Sequence, residues 1–160
     1  MRALVLLLAL WLAPPAHALG AGDPAPALAL PTAGGTVALD ALRGKLVYVD
    51  FWASWCGPCK RSFPWMGEMQ RRYGDRGLVV LAVNVDRRRA DAERFLQATP
   101  AGFTVAFDDT GRTPAAWEVK GMPSSYLVDP QGRVLLVESG FRDERKDAIE
   151  ARIREALPVR

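Results

Sequence analysis

The chain has 160 residues and a mass of 17.5 kDa, which suits one domain with room for a core built from its 49% hydrophobic residues. Its formal net charge is only +3, and the sequence pI near 9.1 reflects a slight excess of Arg and Lys rather than a basic tail or stripe. This balance argues against nucleic acid as a ligand.

The first residues have the pattern of a secretory signal peptide. Arg2 supplies a positive start, residues 3–13 form an apolar run, and Ala16-His17-Ala18 is a small-x-small cleavage site. We expect cleavage after Ala18, which makes residues 1–18 a signal peptide. An uncleaved membrane anchor is the alternative, but an apolar run that Pro14 ends is shorter than the ~20 residues needed to cross a bilayer.

Export would place the mature domain, residues 19–160, in an oxidising compartment where paired cysteines can form a disulfide. The chain has two cysteines and a single histidine, His17, which lies in the predicted signal segment. The mature protein would therefore have no histidine. This excludes histidine-dependent acid-base catalysis and metal sites that use histidine.

The remaining pattern predicts alternating strands and helices, which indicates an α/β domain with a mixed central sheet. No internal repeat or low-complexity tract interrupts it. In chain order the predicted elements are a hairpin within 21–44, a strand at 45–52, a helix at 57–73, a strand at 78–86, a helix at 88–98, a strand at 103–108, a short helix at 113–119, strands at 124–129 and 133–140, and a helix at 142–157.

The two cysteines, Cys56 and Cys59, lie where the strand at 45–52 meets the following helix. Structural zinc usually needs four nitrogen or sulfur ligands, which the mature chain does not offer. Covalent haem attachment requires C-x-x-C-H, but residue 60 is Lys. A purely structural disulfide remains an alternative, although closing so small a ring contributes only about 2 kcal/mol before strain is subtracted.

Redox activity fits the position of the cysteine pair better. Cys56 lies at the expected helix start, where unpaired backbone N–H groups and the helix dipole favour a thiolate and lower the pKa of the thiol below about 8.5. Cys59, one turn along, is expected to face inward and to attack a mixed disulfide on Cys56. Gly57 and Pro58 keep this turn compact. We therefore interpret Cys56 as the nucleophile and Cys59 as the resolving thiol.

The stretch V-D-F-W-A-S-W-C-G-P-C-K is similar to the active-site segment of thioredoxins. Together with G-D-x-A-P near residue 22, Phe63-Pro64, L-A-V-N-V-D and G-M-P-S-S-Y-L-V-D, it resembles the exported TlpA/ResA-like thiol-disulfide oxidoreductases. The resemblance implies a thioredoxin-like fold, a mixed central sheet flanked by helices with an N-terminal hairpin. It also implies that residues 86–107 are a central insertion of one helix and one strand.

The same resemblance implies a role for residues outside the cysteine motif. Pro123 matches the proline that is cis and lies beside the cysteines in thioredoxin-like folds, so Met122 and Pro123 would offer backbone groups to an extended substrate. A simple helix-ending turn at Pro123 is the alternative. Trp55 is expected to form part of an apolar platform around an exposed Cys56 sulfur, which would bind substrate together with Gly57 and Pro58.

Asp50 is a carboxylate in an otherwise apolar strand, and burial would raise its pKa and let it exchange a proton with Cys59. A hydrogen-bonded, purely structural aspartate is the alternative. Thioredoxins pair this aspartate with a lysine where this chain has Ala82, and many TlpA/ResA-like members carry glutamate where it has Ser62. These departures predict that Asp50 is the sole buried acid and lacks a cationic partner.

The sequence as a whole predicts a monomeric periplasmic enzyme that reduces disulfides in exported proteins through Cys56 and Cys59. Its redox centre would be this cysteine pair, with no other cofactor and no metal. The resemblance suggests apocytochrome c or copper-site cysteines as targets and a membrane dithiol relay as electron donor. A thiol peroxidase is an alternative, although Ala53 replaces the expected threonine. A non-catalytic copper-binding or copper-delivery protein is another.

Overall fold

The computed structural model describes residues 18–158. The predicted signal peptide, except for Ala18, lies outside the described residues, as do the last two positions of the predicted mature domain. Within residues 18–158, no helix is both long enough and apolar enough to span a bilayer.

Seven strands and four α-helices make up the described domain, in the α/β order that the sequence predicts. The strands are β1 (Ala29–Thr32), β2 (Gly35–Ala38), β3 (Leu46–Trp52), β4 (Leu78–Asn84), β5 (Thr104–Phe107), β6 (Ser124–Val128) and β7 (Val134–Ser139). The helices are α1 (Gly57–Tyr73), α2 (Arg89–Ala98), α3 (Arg112–Ala116) and α4 (Lys146–Ala156).

All seven strands form one mixed sheet in the order β2-β1-β5-β4-β3-β6-β7. Strand β3 pairs in parallel with β4 and antiparallel with β6, so it lies at the centre, and β4 pairs in parallel with β5. The predicted hairpin β1–β2 covers one edge of the sheet, where Thr32 pairs with Ala106. This confirms the predicted fold class, including the helix and strand of the insertion, α2 and β5.

Every residue of β3 is buried, because the strand is covered on both faces. Tyr48 and Trp52 pack in a cluster with both cysteines and with apolar residues of α1, α2 and α4. Val49 and Phe51 point the other way, into a second cluster that includes Trp117. Since side chains alternate along a strand, Asp50 shares the α1 face with Tyr48 and Trp52.

Several predicted boundaries differ from the structure. Strand β4 ends at Asn84 rather than residue 86, because Asp86 turns back to bind the loop before Cys56. Helix α3 ends at Ala116, where the chain turns into the left-handed φ of 53° at Glu118. A short 3-10 turn precedes α4, and Ala148, predicted to face inward, is exposed.

Candidate active site

The cysteine pair lies at the junction of β3 and α1. The Cys56 amide donates to the Ala53 carbonyl at 3.1 Å, which closes the turn after β3. Cys56 has extended backbone angles and is the N-cap of α1, with its sulfur accepting from the Cys59 amide at 3.2 Å. Pro58 lies in the first turn, where a missing N–H leaves no helical bond unmade. The local sequence therefore starts the helix at the motif.

The two sulfurs form a disulfide with an S–S distance of 2.10 Å and a Cα–Cα distance of 5.3 Å. Cys59 is fully buried, as predicted for the resolving position. The prediction of an exposed Cys56 sulfur was wrong for this oxidised state, because Cys56 is only 3% exposed. Its sulfur is bonded to Cys59 and faces the Cys59 amide, so both cysteines belong to the core cluster.

Trp55 is 73% exposed beside this buried disulfide, and Gly57 and Pro58 lie on the same surface, exposed and half-buried. A Cβ added at Gly57 would meet no atom within 4 Å, so the surface there is open. The structure thus presents a large apolar side chain next to the cysteines, as the sequence predicts. Substrate binding by these residues stays a prediction.

Asp86 holds the loop before Cys56, and sequence reasoning did not identify it. This buried carboxylate accepts from the Ser54 amide at 2.9 Å, the Ser54 hydroxyl at 3.1 Å and the Asn84 amide group at 2.8 Å. The available signal was its position just past the end of β4, because adjacent parallel strands β3 and β4 end at the same edge. The Asp86 contacts fix the backbone that presents Trp55.

The Met122–Pro123 peptide bond is cis, as the resemblance implied, and Met122 packs against the cluster that contains both cysteines. One detail differs. Proline has no N–H, and the Pro123 carbonyl already accepts from the Gly140 amide at 2.8 Å. The backbone of Met122 makes no hydrogen bond in the described part of the chain, and substrate pairing with Met122 and Pro123 stays a prediction.

Asp50 is 1% exposed and lies opposite Ala82 on β4 and Ser125 on β6. The Ser125 hydroxyl donates to Oδ1 at 2.6 Å, and Oδ2 has no hydrogen-bond partner among the described residues. Burial raises the pKa of Asp50 from 3.8 to about 7, against the opposing effect of the Ser125 hydrogen bond. A carboxyl with this pKa can both accept and release a proton near neutral pH.

The prediction that Asp50 is the sole buried acid was wrong. Asp86, Asp108 and Glu138 are also buried, and Glu138 pairs across the sheet with Ser125. Sequence reasoning missed Ser125 and Glu138, because only the sheet register brings them near Asp50. Ser62 is buried as well, and its hydroxyl donates to the Cys59 carbonyl at 3.0 Å.

A C-x-x-C disulfide at a helix N-terminus, a cis proline and a buried aspartate on the central strand of a mixed sheet are features of the thioredoxin superfamily. The AhpC/TSA family profile matches residues 21–137. The chain belongs to the AhpC/TSA family, as a TlpA/ResA-like protein with a thioredoxin-like fold. It is a thiol-disulfide oxidoreductase.

Two relatives illustrate the sequence similarity. The chain is 32% identical over 113 residues to the thiol-disulfide oxidoreductase ResA of Bacillus subtilis, in an alignment that covers 71% of this chain and 63% of that protein. It is 29% identical over 125 residues to ResA of Bacillus cereus, with coverage of 78% and 71%.

Solved structures agree with this grouping. The chain is similar to a putative thiol:disulfide interchange protein DsbE from Chlorobium tepidum, with a TM-score of 0.86, 52% identity, and coverage of 88% of this chain and 100% of that one. It is also similar to the exposed lipoprotein thioredoxin Etrx1 of Streptococcus pneumoniae, with a TM-score of 0.71, 29% identity and coverage of 81% and 99%.

Proposed function

We propose that the protein is an exported reductase that transfers electrons from the Cys56/Cys59 dithiol to disulfides of other exported proteins. The observation that carries this proposal is the disulfide at the start of α1 on the same face of the sheet as the buried Asp50. Gly57-Pro58 and the buried aspartate resemble the reducing thioredoxins. The redox centre is the cysteine pair itself, with no other cofactor.

The reaction begins with the Cys56 thiolate, which the N-terminus of α1 favours through its unpaired N–H groups. The Cys56 sulfur attacks one sulfur of a substrate disulfide, the substrate S–S bond breaks, and the departing sulfur leaves as a thiolate that takes a proton. Cys59 then attacks the Cys56 sulfur, so the Cys56–Cys59 bond forms, the mixed disulfide breaks, and the second substrate sulfur leaves as a thiolate that takes a proton. Two electrons pass from the protein to the substrate.

Asp50 acts as the proton acceptor for Cys59 in this second step. Because its pKa is about 7, its carboxylate can take the thiol proton as the Cys59 sulfur becomes nucleophilic, and can return it when Cys59 is reduced again. Trp55 and the Met122 backbone bind the substrate segment next to Cys56. Main-chain pairing at Met122 would accept many sequences.

The proposed setting is the periplasm, reached by a signal peptide over residues 1–18. Apocytochrome c or copper-site proteins with oxidised cysteine pairs are the proposed substrates. A membrane dithiol relay is the proposed electron donor, since a reductant in an oxidising compartment must be recharged. We expect the protein to act as a monomer.

The reduction potential of the Cys56–Cys59 couple tests the direction of electron flow. Equilibration with redox buffers should give a value near that of thioredoxin, about −270 mV, rather than near the about −120 mV of the oxidant DsbA. A value at the oxidising end would contradict the proposed direction. In addition, Cys59→Ser should accumulate mixed disulfides through Cys56, whereas Cys56→Ser should not.

Assays of peroxide consumption, Cu(I) binding and insulin reduction distinguish two other functions from the proposed one. A thiol peroxidase would consume peroxide with thioredoxin as reductant, although Ala53, a buried methyl group, provides no hydroxyl near Cys56. A copper-delivery protein would bind Cu(I) tightly and stoichiometrically when reduced and would not reduce insulin. Reduction of insulin without peroxide consumption supports the proposed reductase.

A further inference from the structure

Three polar side chains lie side by side across strands β3, β6 and β7, beneath α1. Asp50 pairs with Ser125, and Ser125 pairs with Glu138. Directly paired residues point to the same face of a sheet, so all three share the face that α1 covers. Asp50 is 1% exposed and Glu138 only 8%, which is unusual for two carboxylates in one row of a sheet.

The contacts of this row join its members into one group. The Ser125 hydroxyl donates to Asp50 at 2.6 Å, and Arg145, on the turn before α4, forms an ion pair with Glu138. Burial raises the pKa of Tyr48, with further increases from the charges of Asp50 and Glu138, while a hydrogen bond with Ser125 lowers it. We use the term polar cluster for the four residues of this group, Tyr48, Asp50, Ser125 and Glu138.

In the described part of the chain, the residues of β4 and α1 that line the Asp50 side of the sheet here carry no charge. Strand β4 contributes Ala82, directly opposite Asp50. Helix α1 contributes Cys59, which is in the disulfide, and Ser62, whose hydroxyl donates to the Cys59 carbonyl. Burial and the Ser125 hydrogen bond set the direction of the Asp50 pKa shift, and among the described residues Glu138, with its partner Arg145, is the charged group that the sheet register adds to the same row.

We propose that Ser125 and Glu138 are positioning residues that set the orientation and the charge of the Asp50 carboxyl. Ser125 holds Oδ1 and favours the carboxylate, which leaves Oδ2 to exchange the proton with Cys59. Glu138 has the opposite effect, since a negative charge about 10 Å away, two strands along, favours the protonated carboxyl. Arg145 offsets part of the Glu138 charge.

This inference rests on the proposed function for its catalytic consequence, because Asp50 accepts the Cys59 proton in the resolving step. In that step the Cys59 S–H bond breaks, its proton goes to Asp50, and the sulfur's electron pair forms the bond to Cys56, while the substrate sulfur leaves the mixed disulfide as a thiolate. A carboxyl that binds its proton too tightly at neutral pH cannot accept another. The balance between Ser125 and Glu138 therefore sets the pH at which Cys59 reacts.

The test is a carbon-13 NMR titration of the Asp50 carboxyl in the oxidised protein, where disulfide-bonded cysteines do not titrate. Ser125→Ala should raise the midpoint by about one pH unit, because a charge-assisted hydrogen bond is lost. Ser125→Thr keeps the hydroxyl and should titrate like the wild type. Glu138→Gln should shift the midpoint downward by less than one unit, and Arg145→Gln should shift it upward.

The inference is supported if the Asp50 midpoint shifts in opposite directions in Ser125→Ala and Glu138→Gln and is unchanged in Ser125→Thr. A general loosening of the protein structure would instead shift the midpoint of both variants in one direction. The inference is overturned if the Asp50 midpoint of both variants stays within roughly 0.2 pH units of the wild-type value, which is about the smallest shift that such a titration resolves. If Ser125→Ala does not fold, the Thr, Glu138 and Arg145 variants carry the same test. Insulin reduction by the wild type is measured separately, so failure of the reductase proposal is distinguishable from failure of this one.

Discussion

At the scale of single residues, two requirements conflict at Asp50, namely the stability of the fold and the proposed proton exchange with Cys59. Its carboxyl is buried with one hydrogen bond to Ser125 and one oxygen without a partner, and burial raises its pKa to about 7. An unpaired buried oxygen destabilises a fold, so its presence in a native protein calls for another purpose. The proposed proton exchange with Cys59 is such a purpose, and it predicts that Asp50 favours activity at the expense of stability.

The activity half of this prediction concerns Asp50→Asn. Asparagine keeps the size and can still accept from Ser125, but it cannot take a proton, so disulfide exchange should slow at neutral pH by about 10- to 100-fold without unfolding. The check is the rate of insulin reduction from pH 6 to 9, with Asp109→Asn, at an exposed position, as control. Rates equal to wild type across that range would remove Asp50 from the mechanism.

The stability half of this prediction is that the same substitution, Asp50→Asn, stabilises the folded protein. Between about pH 4 and 7 the unfolded chain has an ionised Asp50 while the folded protein keeps it protonated, so the folded state loses stability as the pH rises through this window. Asp50→Asn should therefore increase the free energy of unfolding at pH 8 by a few kcal/mol, and by much less near pH 4. Urea titrations of the oxidised protein at both pH values measure this, and an equal effect at both would refute it.

At the scale of secondary structure elements, buried carboxylates fix the ends of strands. Asp86 organises the loop between β3 and α1, and Asp108 does the same between β5 and α3. Asp108 accepts from the Thr110 and Gly111 amides through Oδ1 and from the Thr113 amide through Oδ2 at 2.7 Å. These bonds satisfy amides at the start of α3, which has no N-cap side chain because Gly111 occupies that position.

Asp108→Ala should cost about 2–3 kcal/mol of stability, since several amides near α3 lose their acceptor. Burial works to raise the pKa of Asp108, but the hydrogen bonds from Thr110 and Thr113 outweigh it and the pKa is lowered. The stabilisation from a lowered pKa is present at neutral pH and is lost as the pH falls through that pKa, so the gap between wild type and variant should narrow in acid. Asp109→Ala, next to it and exposed, should change stability by less than about 0.5 kcal/mol.

At the scale of the whole molecule, aromatic contacts join the insertion to the thioredoxin-like core. Phe95 of α2 lies 4.8 Å from Trp52 and 5.0 Å from Phe63, measured between ring centroids. Phe63 also contacts Phe103, at 5.2 Å. The helix that enters beside the active-site loop is thus part of the same core as β3 and α1 and is expected to unfold together with them.

Phe95→Ala should therefore destabilise the entire domain by about 3–5 kcal/mol, in a single transition. Urea unfolding followed by tryptophan fluorescence and by far-UV circular dichroism should give coincident curves. Gln97→Ala, on the exposed side of α2, is the control and should be near neutral. Separate transitions for the two probes in the Phe95 variant would show that the insertion unfolds on its own.

Local patterns in the sequence determined the order of strands and helices, the position of the C-x-x-C motif at a helix start, and the aspartate in the central strand. These features depend on periodicity and on neighbours within a few residues, which a sequence displays directly. The resemblance to TlpA/ResA-like proteins supplied the cis bond before Pro123 and the insertion.

Only the tertiary structure decided which polar groups meet. Asp50 and Ser125 are 75 positions apart in the chain, and their hydrogen bond exists because β6 pairs with β3 in one particular register. A shift of one residue would turn Ser125 to the other face. Glu138 joins them through the register of β7, which no local pattern specifies. Tertiary packing also buries Cys56, whose sulfur the sequence suggested was exposed.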